Sequence, residues 1–95
     1  MSSDITIIYK ITIMETKNLR IIKVKFYGPT NNRGSRFRIY DDFRKSKYYD
    51  YDYEFNSTLD QAVSILVGKG FNIIGTSDAY NDVSYIVTDT FNLDL

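Results

Sequence analysis

The chain has 95 residues, 43 % of them hydrophobic, with nine Tyr and six Phe, which is enough bulk for one small packed domain and too much for a disordered segment. It contains neither cysteine nor histidine, which removes disulfides, thiolate metal sites, the commonest zinc ligand and the usual general base at neutral pH. A net charge of zero hides a segregation: residues 1–47 carry eleven basic against four acidic side chains, a balance of +7, while residues 48–95 carry Lys69 alone against eight acids, a balance of −7.

In chain order, Ile5–Met14 is β-branched with apolar residues at even spacing and reads as a strand, ended by the polar link Glu15–Asn18. Because a complete domain can begin near Met14, residues 1–13 read as an edge strand or extension. Leu19–Tyr27 is the second strand. Its period of two sends Ile22, Val24 and Phe26 inward and Lys23 and Lys25 to the opposite face. Gly28–Ser35 (GPTNNRGS) is a loop, and Arg36–Tyr40 returns as a strand with Phe37 and Ile39 inward and Arg36 and Arg38 outward. After a turn at Asp41–Ser46, Lys47–Glu54 (KYYDYDYE) alternates again, with Tyr49, Tyr51 and Tyr53 predicted to face the core and Tyr48, Asp50, Asp52 and Glu54 the other side.

The spacing then predicts one helix over Thr58–Lys69. Ser57 serves as N-cap, Asp60 sits in the first turn, and Leu59, Ala62, Val63 and Leu66 share a face. Gly68 and Gly70 mark its end. Two short strands follow, Phe71–Gly75 and Val83–Thr88, joined by the polar turn Thr76–Asp82. Phe71, Ile73, Val83, Tyr85 and Val87 are expected in the core. The order ββββαββ predicts an α+β fold, an antiparallel sheet of five to six strands with one helix packed on one face. The expected organisation is an N-terminal extension over residues 1–18, a single domain over 19–91 and a tail over 92–95.

Two clusters are candidate sites. Lys23, Lys25, Arg36 and Arg38, with Arg33 in the intervening loop and Tyr27 and Tyr40 on the same face, form a ribbon of cations among rings, the combination that binds phosphates and stacks bases. Asp50, Asp52 and Glu54, spaced ~7 Å apart on a strand, with Asp60 beyond them, form an acidic face able to imitate a phosphate chain. Both clusters also have an ordinary structural reading. Arg36 and Arg38 can pair across strands with Asp50 and Asp52, and the internal cancellation this produces is the commoner outcome for sequential strands of opposite charge.

No enzyme chemistry is expected. The Gly28–Gly34 loop has neither Walker nor dinucleotide-binding spacing, and no base partners Ser35. Carboxylates ~7 Å apart are too far from one another for a single small ion, so no metal or cofactor is expected. No apolar run reaches the ~18 residues of a membrane helix, and MSSDITIIYK is unlike a signal peptide.

The stretch Val24–Arg38, VKFYGPTNNRGSRFR, resembles a small uncharacterised family of phage and mobile-element proteins whose signature is Gly-Pro-Thr-Asn-x-(Arg/Lys)-Gly-Ser-Arg between two strands. Gly28, Pro29, Thr30, Asn31, Arg33, Gly34, Ser35 and Arg36 match it. A downstream Tyr-Asp element and helix, represented by Tyr51–Asp52 and Thr58–Lys69, extend the resemblance over about two thirds of the chain, and residues 1–13 look additional to it.

The resemblance implies a phage or mobile-element accessory protein, and the missing catalytic residues and signal segment add the expectation that it is non-enzymatic and works in the cytoplasm of a bacterial host. Its partner would be a host protein that handles nucleic acid or serves defence, inhibited in the manner of an anti-CRISPR protein through Asp50, Asp52, Glu54 and Asp60. The alternative is direct nucleic-acid binding through Lys23, Lys25, Arg33, Arg36 and Arg38. A third is self-association, with a homodimer formed through the N-terminal edge strand.

Overall fold

Alternation at period two builds the centre of the molecule. In the computed structural model, which describes residues 18–43 and 45–95, β1 (Arg20–Tyr27) lies in the middle of a five-stranded sheet. The expected strand Ile5–Met14, and any dimer contact through it, lie outside the described residues. β1 pairs antiparallel with β2 (Arg36–Tyr40) on one side and with β5 (Val83–Thr88) on the other. β3 (Ser46–Asp50) and β4 (Ile73–Tyr80) form the two edges, giving the order β3-β2-β1-β5-β4 with every neighbouring pair antiparallel. The fold is α+β, one antiparallel sheet with one helix. Among the described residues, no helix is long and apolar enough to cross a membrane.

The helix α1 (Thr58–Gly68) carries the chain from one sheet edge to the other across a single face. The Ser57 hydroxyl accepts from the Asp60 N–H at 3.1 Å, and Asp60 places its charge at the positive end of the helix dipole. Beyond Lys69 the chain turns at Gly70, whose φ of 102° suits glycine, and the Phe71 N–H donates to Leu66 O. Ala62 and Leu66 pack with Ile22, Val24, Phe37, Ile39, Ile86 and Phe71 in the core. Leu95 is buried in the same cluster and Leu93 packs against it, so the segment expected as a tail over 92–95 contributes to the core.

Four local expectations differ from the structure. β3 runs over Ser46–Asp50 rather than Lys47–Glu54, because the Gln61 side chain takes over where pairing stops. Its amide donates to Asp50 O at 3.1 Å, and its carbonyl accepts from the Asp52 N–H at 2.8 Å. Tyr49 consequently packs against the core, but Tyr53, expected beside it, is exposed.

At the other edge, β4 extends to Tyr80 through residues expected to form a turn. It has register shifts at Ile73/Gly75 and Ser77/Tyr80, as suits an edge strand with one solvated side. Asn81 and Asp82, both at positive φ, make the two-residue hairpin turn to β5. In β5 the inward residues are Ser84, Ile86 and Thr88, not Val83, Tyr85 and Val87. Thr88 is tolerated inside because its hydroxyl donates to Asn72 O and accepts from the Thr90 N–H.

One buried ion pair closes an end of the core. Arg20 meets Asp41 at 2.7 Å with both side chains almost wholly buried, donates to Leu93 O at 2.6 Å, and lies over the Phe71 ring. The second oxygen of Asp41 accepts from the Phe43 N–H at 2.9 Å, which fixes the turn between β2 and β3.

Candidate nucleic-acid interface

The face of the sheet opposite α1 has no covering layer among the described residues, and the register sets its pattern. Three rows cross the strands: Asp50, Arg36 and Tyr27; then Tyr48, Arg38, Lys25 and Val83; then Ser46, Tyr40, Lys23 and Tyr85. With alternate residues about 7 Å apart along a strand and strands about 4.8 Å apart, four cations span roughly 14 by 5 Å. Lys25 and Arg38 stand directly opposite each other. Two like charges at a paired position destabilise a sheet.

Aromatic rings neighbour all four cations, and among the described residues they stand in place of carboxylates at Lys25, Arg36 and Arg38. The Arg38 guanidinium lies 4.0 Å from the centre of the Tyr40 ring, and Arg36 lies 5.3 Å from that of Tyr27. Lys25 is 5.7 Å from the Tyr27 ring, and Lys23 is 5.8 Å from the Tyr40 ring. Tyr27 and Tyr48 approach each other at 6.1 Å across β2. Among the described residues, Arg36 Nη1 and Arg38 Nε are buried without a hydrogen-bond partner, as is Arg20 Nε on the covered face. Burial works against the charge on Arg38, yet Tyr27, Tyr40 and Tyr48 hold its pKa above the ordinary value.

The expected cross-strand cancellation is not formed. Arg36 faces Asp50 in register and Arg38 faces Tyr48, but the ion pairs among the described residues are Arg20–Asp41 and Lys23–Asp42. The second pair lies on the rim of the patch at 2.8 Å, and its hydrogen bond, followed by the Asp42 charge, raises the Lys23 pKa. Among the described residues, Asp42 is therefore the one carboxylate that engages a cation of the ribbon. Arg33 sits in the exposed β1–β2 loop, where Thr30 N–H donates to Arg33 O at 2.7 Å and Arg33 N–H donates to the Thr30 hydroxyl at 3.2 Å, closing a tight turn beside Arg36.

The acidic candidates are not gathered onto one strand. Asp50 is the last residue of β3. Asp52 and Glu54 lie in the turn after it, where the Asp52 carboxylate accepts from the Glu54 N–H at 3.0 Å, and Asp60 belongs to the first turn of α1. The regular ~7 Å array requires a continuous strand and stops after its first member. Among the described residues, no group of three or more Asp or Glu side chains is placed to hold a metal ion.

Tyr48 and Tyr85 belong to the basic face, although the alternation assigned one to the acidic face and the other to the core. The signal for Tyr48 was its phase with Asp50, whereas Tyr85 is oriented by its pairing with Lys23, which the sequence does not display. No protein-family model, no curated protein and no solved structure matches the chain.

Proposed function

We propose that this chain binds single-stranded nucleic acid on the open face of its sheet, with Lys23, Lys25, Arg36 and Arg38 meeting phosphates and Tyr27, Tyr40, Tyr48 and Tyr85 offering rings to bases. The observation that carries the reading is the Lys25–Arg38 opposition. The sheet holds two cations against each other and surrounds them with tyrosines, an arrangement that lowers stability and raises affinity for a polyanion with exposed bases. A duplex would use the cations but not the rings, since its bases are already stacked. The role is one of binding, with no chemistry of its own, and it suits an accessory protein of a phage or mobile element.

Inhibition of a host nucleic-acid-handling protein through Asp50, Asp52, Glu54 and Asp60 draws less support, because these acids do not share a strand. Fluorescence anisotropy with labelled oligo-dT at 50 mM salt tests the proposal. Binding should weaken as salt rises, with a log–log slope of about −0.7 per phosphate neutralised, and duplex of equal length should bind less tightly. A flat titration would refute it.

A further inference from the structure

The loop between β1 and β2 and the end of β3 enclose a cleft of about 690 Å³, walled chiefly by Arg33, Arg36, Tyr48, Asp50, Tyr51 and Tyr53. That volume lies within the ~300–1,000 Å³ of small-molecule sites. Arg36 and Tyr48 belong both to the cleft and to the basic face, so a strand lying across the sheet runs directly into it.

Three kinds of group converge there. Arg33 brings a positive charge on an exposed loop. Tyr48 and Tyr53 are 57 % and 74 % exposed, and Tyr53 is braced edge-on against Tyr51 at 4.7 Å. Asp50 brings a carboxylate that, among the described residues, accepts no hydrogen bond and forms no ion pair, because the Arg36 opposite lies over Tyr27 instead.

An ionised carboxylate only accepts, so it selects for a base edge that donates. Guanine presents two adjacent donors, N1–H and the N2 amino group, spaced to meet both carboxylate oxygens. Adenine and cytosine present one amino group beside a ring nitrogen whose lone pair the carboxylate repels. Uracil and thymine present one N–H between two carbonyls.

We infer that this cleft is a guanine-selective subsite at one end of the strand path, with Asp50 reading the base edge, an exposed tyrosine stacking on the ring and Arg33 holding the phosphate. The inference rests on the nucleic-acid reading and names the base that reading leaves open.

The test titrates the full chain with GMP, AMP, CMP and UMP separately, followed by backbone NMR shifts, and adds oligo-dT as a fifth ligand. GMP should bind about ten-fold more tightly than the other three, as a well-made bidentate contact gives, and should shift Tyr48, Asp50 and Tyr53. Asp50→Asn should abolish that preference while oligo-dT still binds, slightly more tightly because one acid leaves the strand path, and Arg33→Ala should weaken all four mononucleotides alike. Four equal affinities, no mononucleotide binding, or a GMP preference that survives Asp50→Asn would overturn the inference. Oligo-dT that still binds in those cases leaves the sheet-face reading standing, whereas selective GMP binding without oligo-dT binding would remove the sheet-face reading and keep the cleft.

Discussion

The two faces of this sheet handle charge in opposite ways. On the helix-covered face, the buried guanidinium of Arg20 meets Asp41 and Leu93 O, and Gln61 satisfies the end of β3 with both ends of its amide. On the open face, Lys25 and Arg38 oppose each other, Arg36 ignores the Asp50 across from it, and rings stand where counter-charges would serve stability better. The same backbone ladder supports both. The contrast teaches that the covered face carries the stability and the open face keeps its cations available at a cost.

That contrast can be broken most forcefully from the covered side. Asp41→Ala leaves Arg20 buried without its counter-charge and should destabilise the fold by about 3–5 kcal/mol in urea unfolding. Nucleic-acid binding should fall only in proportion to the fraction unfolded. On the open face, Tyr48→Ala should cost about 1–3 kcal/mol of oligonucleotide affinity, the worth of one stacked base, with the unfolding midpoint nearly unmoved because the ring is mostly exposed.

Lys25→Glu turns a repulsive cross-strand pair into an attractive one. It should raise stability by roughly 0.2–1 kcal/mol while weakening oligonucleotide binding and reducing the salt slope, two effects of opposite sign from one substitution. A destabilised Lys25→Glu protein would mean that the open face is not held at a cost.

The smallest expected effect is at the rim. Asp42→Asn releases Lys23 and should tighten oligonucleotide binding slightly. The same pair sets a pH dependence. The folded-state pKa of Lys23 is raised above its ordinary 10.5, so the contribution of the pair is complete at neutral pH and is lost only as pH climbs through that raised value. Stability followed between pH 6 and 8 should therefore show nothing from Lys23.

Much of this was legible in the sequence where one periodicity dominates. The alternation in Arg20–Tyr27 and Arg36–Tyr40 gives Ile22, Val24, Phe37 and Ile39 to the core and places Lys23, Lys25, Arg36 and Arg38 together on the other face. The capped, periodic helix is recovered within one residue at its C-terminal end.

Elsewhere the deciding interactions are remote in sequence. The Tyr-Asp alternation continues past Asp50, but β3 ends where Gln61, eleven residues later, binds its backbone. Val83, Tyr85 and Val87 read as core because they are apolar. Their orientation is set by pairing with Lys25, Lys23 and Ile21, which turns Ser84, Ile86 and Thr88 inward. β4 is polar because it is an edge, and polarity alone reads as a turn. At the site, opposite charges on successive strands predicted pairing of Arg36 and Arg38 with Asp50 and Asp52. Registering Arg38 against Tyr48 and drawing Asp52 into a turn removes one pair, while Arg36, though in register with Asp50, lies over Tyr27 instead.

The most direct test of the central claim is a backbone chemical-shift map of the chain with oligo-dT at low salt. Perturbations are expected at Lys23, Lys25, Arg36, Arg38, Tyr48 and Tyr85, with the amides of α1 unmoved. Shifts confined to α1 and the turn before it, or an unchanged spectrum, would contradict it.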